Sequence, residues 1–131
     1  MIIILIYVDD IIVSGLNTVL VHQMVSSLHF QFALKDLGIL NYFLGVEVCC
    51  QGSSLHLSQT KYIQDLLTRA GLAYFKPIAT PMTISHTLSA SKGSLLADPS
   101  QYRNIVEALQ YCTITRHDIS FSINKLCQFM Q

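Results

Sequence analysis

Residues Met1 to Val13 read MIIILIYVDDIIV, an aliphatic run broken only by Tyr7 and by two adjacent carboxylates, Asp9 and Asp10. A spanning helix needs about 20 apolar residues, whereas this run meets two acids and then polar Ser14, Gly15 and Asn17. A secretory leader carries a basic stretch before its apolar region, and the first basic residue here is Lys35. The chain is therefore expected to be intracellular, with no signal peptide and no membrane association. β-Branched residues dominate Ile2 to Val8 without helical periodicity, which predicts a strand buried on both faces. Ile11 to Val13 is its expected return strand, so Asp9 and Asp10 should occupy the tip of a β-hairpin.

Composition narrows the class further. The chain has 131 residues, about one domain's worth, of which 51% are apolar and only 12% charged. Globular chains average about 25% charged residues, so this sequence excludes disorder and implies extensive burial or a larger parent that covers it. Eight basic residues balance eight acidic ones. No net positive field draws in phosphate, and any nucleic-acid contact must come from local placement. Cys49, Cys50, Cys112 and Cys127 show neither C-x-x-C spacing nor a disulfide framework, and buried free thiols are expected.

The remaining elements follow from caps, breakers and period. Asn17 can cap a helix whose stripe is Leu20, Val21, Met24, Val25, Leu28 and Phe32. Leu40 to Cys50 reads as a strand, the Gln51 to Ser54 stretch as a turn, and Leu55 to Leu57 as a return strand. Ser58 is the expected N-cap of a helix presenting Tyr62, Ile63, Leu66, Leu67 and Ala70, ended by Gly71. Pro77 and Pro81 enforce extended chain, and the Ser-rich stretch from Thr83 to Asp98 reads as a loop. Asp98 before Pro99 starts a helix to about Thr113, and a last helix follows near Asp118. The order β-β-α-β-β-α-α-α predicts an α+β fold.

Two consecutive aspartates in apolar surroundings repel one another unless a cation or solvent compensates. Mg²⁺ takes one or two protein carboxylates and fills its octahedron with water and phosphate oxygens. Two such ions about 3.5–4 Å apart activate a hydroxyl nucleophile and stabilise a leaving pyrophosphate. On the dipeptide alone, an ordinary solvated turn is the competing reading. The histidines His22, His29, His56, His86 and His117 share no ligand spacing and form no triad pattern.

The flanking residues extend the pattern. Tyr7-Val8-Asp9-Asp10 after an aliphatic strand resembles the Y-x-D-D motif of reverse transcriptases. Leu34-Lys35-Asp36-Leu37-Gly38, Tyr42-Phe43-Leu44-Gly45-Val46-Glu47-Val48, Leu57-Ser58-Gln59, Lys61-Tyr62-Ile63, Lys76-Pro77, Thr80-Pro81-Met82 and Tyr102-Arg103 through Gln110-Tyr111 continue the likeness. Together, and in this order, they resemble the copia-type retrotransposon reverse transcriptase family over nearly the whole chain.

The resemblance implies roles for particular residues. Asp9 and Asp10 match catalytic, metal-holding aspartates of the polymerase palm, with Mg²⁺ (or Mn²⁺) as cofactor, and Tyr7 matches a residue near the primer terminus and incoming nucleotide. Lys35 falls where such polymerases place a lysine near the pyrophosphate. Phe43, Leu44 and Gly45 look like the hairpin that grips the primer, the competing reading being a core strand with a bulge. Residues 1–57 would form the carboxyl part of the palm and 58–131 the thumb and start of the connection. Lys61, Arg69, Arg103 and Arg116 are then candidate phosphate contacts to an RNA or DNA template-primer.

The family also carries fingers and a third metal-binding aspartate upstream of the hairpin, which this sequence lacks. Catalytic groups act as a unit, so the chain alone is expected to polymerise weakly or not at all. Glu107 in place of a small glycine and His117 in place of a proline suggest relaxed constraint. The alternatives are a non-enzymatic nucleic-acid-binding module, or the product of a degenerate element with no selected role. Longer copies of the element's polyprotein are the expected protein partners.

Overall fold

A computed structural model describes residues 1–83, 88–89, 93–94 and 96–130. The chain divides into two compact units, Met1–Asn41 and Tyr42–Gln131. The expected Ser-rich loop from Thr83 to Asp98 lies partly outside the described residues, as does His86.

The first unit is a hairpin and a helix. Strands β1 (Ile2–Tyr7) and β2 (Asp10–Gly15) pair antiparallel, with Leu5 opposite Ile12 and Tyr7 opposite Asp10. The turn is therefore Val8-Asp9, one residue earlier than the expected Asp9-Asp10 tip. Such a shift exchanges the two faces of a strand. It places Asp10 in the ladder and leaves only Asp9 in the turn. The hairpin is also less covered than a doubly buried strand would be, with Ile3, Ile4, Leu5 and Ile6 all exposed.

Helix α1 (Thr18–Phe32) starts as expected, the Asn17 Oδ1 accepting from the Val19 and Leu20 amides at 3.0 and 3.3 Å. Val21, Met24, Val25 and Leu28 are half-buried, while Leu20 and Phe32 at the ends of the expected stripe are exposed. A Cβ at Gly15 would lie 3.2 Å from Val21 Cγ2 and 3.0 Å from the Met1 carbonyl oxygen. The helix thus packs on a strand end where only glycine fits without a shift. Ala33 at φ +51 ends the helix, and the Asp36 carboxylate accepts from the Gly38 amide at 2.8 Å.

The second unit joins a three-stranded antiparallel sheet, β3 (Tyr42–Phe43), β4 (Val46–Gln51) and β5 (Ser54–Ser58), to helices α2 (Thr60–Arg69), α3 (Pro99–Cys112) and α4 (Ser120–Cys127). The single strand expected over Leu40 to Cys50 is interrupted. Leu44 and Gly45, at φ +49 and +80, form a two-residue turn that sets Phe43 opposite Val46. Left-handed values at both central positions match the twist of the flanking strands, so this is a hairpin turn and not a bulge.

Local signals fix most helix ends. Asp98 accepts from the Ser100 amide at 2.9 Å with Pro99 at the first helical position. Gly71 at φ +71 ends α2 while its amide reaches the Thr68 carbonyl and the Leu72 amide reaches that of Leu67. That pattern satisfies the last free carbonyls of the helix. The expected Ser58 cap is not formed; Gln59 takes the N-cap position with no capping bond of its own.

The core of this unit is Leu66, Val106, Cys112 and Ile123. Beside it, Ile63, Leu67, Ile105 and Leu109 line an apolar cavity of about 160 Å³. Tyr102 donates to the Leu126 carbonyl and Arg103 to that of Met130, each at 2.9 Å, which ties α3 to the α4 segment. Glu107 is exposed on α3. Its charge carries none of the desolvation cost that a buried position would impose. The fold is α+β, and no helix among the described residues is long and apolar enough to cross a membrane.

Candidate functional site

The hairpin tip presents Tyr7, Val8, Asp9 and Asp10 to solvent, with Val8 80% exposed. Val8 sits at φ +50. A β-branched residue rarely adopts that region, so the turn holds conformational strain next to both acids. Tyr7 and Asp10 face one another across the ladder. Strict strand alternation would send consecutive side chains to opposite faces, but Asp9 belongs to the turn and is released from it. Neither carboxylate has a hydrogen bond or ion pair among the described residues.

Two solvated, unpaired carboxylates on neighbouring residues form a hard oxygen donor set of the kind Mg²⁺ accepts. No group of three or more His, Cys, Asp or Glu able to hold a metal occurs among the described residues. Lys35 lies exposed in the segment after α1.

The second unit contains the other residues singled out by sequence. The Leu44-Gly45 turn is clasped by two tyrosines, Tyr62 of α2 and Tyr111 of α3, whose rings meet edge to face with centroids 5.1 Å apart. A Cβ on Gly45 would lie 3.3 Å from Tyr62 and 3.4 Å from Tyr111. The Tyr111 hydroxyl donates to the Leu44 carbonyl. Burial pushes the Tyr62 phenol above its ordinary pKa, so that ring remains neutral across the physiological range.

A carboxylate braces the same hairpin from behind. Glu47 of β4 accepts from the Ser58 hydroxyl at 2.6 Å through one oxygen and from the Lys61 amide at 2.9 Å through the other. It supplies the capping contact that Gln59 does not make, satisfying an orphan amide at the start of α2. The Ser58 hydroxyl, followed by the Lys61 amide, holds the Glu47 carboxyl below its ordinary pKa.

The four basic residues do not share one patch role. The Lys61 ammonium stands 6.0 Å from the Tyr42 ring centre, within cation–π range. Arg69 is exposed at the far end of α2. Arg103 holds the Met130 carbonyl through Nε. Arg116 makes a two-pronged pair with Asp118 at 2.9 and 2.8 Å, which raises the guanidinium pKa and lowers the carboxyl pKa.

Two groups at the turn escape sequence reasoning. The Tyr62–Tyr111 clasp joins residues far apart in the chain, and only their aromatic identity was visible. Glu47 stands in the sequence as a lone acid between Val46 and Val48, with no local signal to tie it to Ser58, the expected N-cap, or to Lys61.

Comparison with known proteins identifies relatives of this chain. Residues 1–84 match the family model described as reverse transcriptase (RNA-dependent DNA polymerase). The chain is 47% identical over 126 residues to a retrovirus-related Pol polyprotein from transposon RE1 of Arabidopsis thaliana, a match covering 96% of this chain and 9% of the polyprotein. It is 44% identical to an uncharacterized mitochondrial protein of the same plant, of which 52% is covered. A Pol polyprotein from transposon TNT 1-94 of Nicotiana tabacum is 31% identical, with 10% of its length covered. The chain thus spans about a tenth of the polyproteins and about half of the mitochondrial relative. No solved structure matches it. With a family match over residues 1–84 and Pol polyprotein relatives from copia-type transposons, this chain belongs to the reverse transcriptase family.

Proposed function

We propose that this chain carries the metal-binding hairpin and primer-grip portion of a copia-type RNA-directed DNA polymerase. The observation that carries the reading is the strained Val8-Asp9 turn, which offers two solvated, unpaired carboxylates at its tip. Asp9 and Asp10 would hold Mg²⁺, or Mn²⁺ in its place. Such an ion lowers the barrier to attack by a primer 3′-hydroxyl and neutralises charge on the leaving pyrophosphate. Tyr7, opposite Asp10, would lie against the primer terminus or incoming nucleotide, and Lys35 near the pyrophosphate.

The Phe43-Leu44-Gly45 turn would grip the primer strand. Rigidity supports this role, because its backbone is fixed by the tyrosine clasp and by Glu47 instead of by its own short strand. Residues 1–57 are assigned to the palm and 58–131 to the thumb and beginning of the connection. In this unit the packing crosses that division, since Glu47 binds both Ser58 and Lys61. Lys61, Arg69, Arg103 and Arg116 are the proposed phosphate contacts, each of which also has a partner within the chain: the Tyr42 ring, the Tyr62 hydroxyl, the Met130 carbonyl and the Asp118 carboxylate. A template-primer of RNA or DNA is the proposed ligand, and longer Pol polyproteins are the proposed protein partners.

Two carboxylates without further ligands hold a divalent ion weakly, and polymerisation by this sequence alone is expected to be slight or absent. Primer extension on poly(rA)/oligo(dT) with Mg²⁺ or Mn²⁺ tests the activity against an Asp9→Asn, Asp10→Asn variant. Robust extension abolished in the variant would establish an autonomous enzyme. A Mn²⁺ titration followed by NMR tests the site itself. Paramagnetic broadening should centre on Val8, Asp9 and Asp10 and disappear in the double variant; uniform or absent broadening would overturn the metal role.

A further inference from the structure

Strands β4 and β5 are joined by a two-residue turn, Gly52-Ser53, across which Gln51 pairs with Ser54. Counting back from that turn sets Cys49 directly opposite His56 and Glu47 directly opposite Ser58. Side chains alternate along a strand, so Glu47, Cys49 and Gln51 share one face with Ser58, His56 and Ser54. Cys50, opposite Leu55, belongs to the other face. Opposed side chains on the first face do meet, since the Ser58 hydroxyl donates to Glu47 at 2.6 Å. Cys49 and His56 are the next pair along it. Both are exposed, and among the described residues neither makes a hydrogen bond or ion pair. Seven residues apart, they fit no contiguous ligand spacing; the tight turn alone brings them together.

We propose that Cys49 and His56 chelate a borderline divalent cation of the Zn²⁺ class across the β4–β5 ladder. Directly opposite residues hold their Cβ atoms about 4.5–5.5 Å apart. A tetrahedral ion at about 2.3 Å from sulfur and about 2.0–2.1 Å from nitrogen needs those two atoms roughly 3.6 Å apart. Cysteine and histidine side chains converge to that separation without moving the strands. Thiolate and imidazole are donors that suit Zn²⁺, whereas carboxylate and water suit Mg²⁺. As the metal–sulfur bond forms, the thiol proton passes to the buffer, and one ring nitrogen of His56 gives its lone pair.

Glu47 lies two residues from Cys49 on the same face and brings a negative charge toward the ion. Its oxygens are committed to the Ser58 hydroxyl and the Lys61 amide, so half of the coordination shell is left to water or to an external ligand. Bound there, the ion ties β4 to β5 beyond the point at which Glu47 ties them to α2.

Co²⁺ serves as the probe, because thiolate ligation gives it a sulfur-to-metal charge-transfer absorption in the near ultraviolet that carboxylate ligation does not. Titration of the reduced full chain should raise this absorption to saturation at one ion per chain, and Zn²⁺ should abolish it by displacement. Cys49→Ser should remove it. His56→Ala should weaken Co²⁺ binding by more than about tenfold, a loss that even an outer partner of a ligand can cause. Cys50→Ser should retain the absorption, and so should the Asp9→Asn, Asp10→Asn variant, which makes the site independent of the polymerase reading. In the parent chain, Zn²⁺ should shift the Cys49 Cβ and His56 ring resonances together, a readout that needs no substitution. Absence of a saturable absorption would overturn the proposal, as would saturation at half an ion per chain or loss of the absorption in Cys50→Ser. An affinity unchanged in His56→Ala, or His56 resonances unmoved by Zn²⁺, would do the same.

Discussion

Tyr111 donates its hydroxyl hydrogen to the main-chain carbonyl of Leu44, 67 residues earlier in sequence. One helix thereby holds a turn that its own short strand could not. Tyr111→Phe keeps the ring against Tyr62 and Gly45 but removes this bond. Urea unfolding should show a loss of about 0.5–1.5 kcal/mol. An unchanged midpoint would mean that ring packing alone fixes the turn.

Gly45 combines φ +80 with two aromatic neighbours in contact range of an added Cβ. Gly45→Ala should therefore cost about 1–3 kcal/mol, from backbone strain together with displacement of the clasp. Denaturant unfolding of the variant measures it, and heteronuclear NMR should show the Tyr62 and Tyr111 ring resonances moving together.

Val8 offers a change in the opposite sense. It is exposed and left-handed, so Val8→Asn should stabilise the hairpin by about 0.5–1 kcal/mol, because asparagine tolerates this conformation. Chemical denaturation checks the sign. A destabilised variant would show that the Val8 side chain has packing value that outweighs its strain.

Glu47 has a folded-state pKa below its ordinary value, so the unfolded chain binds more protons in the window just below 4.5. Its contribution is complete above that ordinary value and is lost as pH falls through the lower folded one. Asp118 acts in the same direction beside Arg116. Thermal unfolding between pH 3 and pH 6, as an approximate range for carboxylates, should fall less steeply with acid in Glu47→Gln than in the parent chain. Equal slopes would remove Glu47 from the linkage.

The thiols should separate by reactivity. Cys49 and Cys50 are exposed and not buried as expected, because the end of β4 that carries them is uncovered, whereas Cys112 is buried, and burial raises its pKa. Iodoacetamide followed by peptide mass mapping should label the first pair well before Cys112, since the thiolate is the attacking species.

What the sequence revealed was mostly local. Asn17, the Asp98-Pro99 step and Gly71 each announce a helix end through a residue and its near neighbours, and the structure uses all three. Where a conformation is imposed from a distance, local reading failed. Leu44 and Val8 have no intrinsic preference for positive φ, so local signals predict continuous strand through Phe43-Leu44-Gly45-Val46 and a first hairpin turn one residue later than the one that forms. Ser58 looked like a cap because its partner Glu47 belongs to another strand. Asp9 and Asp10 were legible as a pair of acids in apolar chain, but their release from strict alternation depends on that displaced turn. Exposure of Glu107 likewise depended on which side of α3 the rest of the unit covers.

Gln59 is 1% exposed, with its amide oxygen accepting from Thr115 at 2.8 Å and its amide nitrogen donating to the Tyr111 carbonyl at 3.4 Å. Aliphatic neighbours can slide past one another with small losses, but these two bonds have a single geometry. If α2 advanced or rotated by one position against the end of α3, a dry amide would lose both partners at a penalty of about 1–3 kcal/mol for each stranded group. The glutamine therefore works as an alignment key, selecting one helix registration from a continuum of greasy near-equivalents.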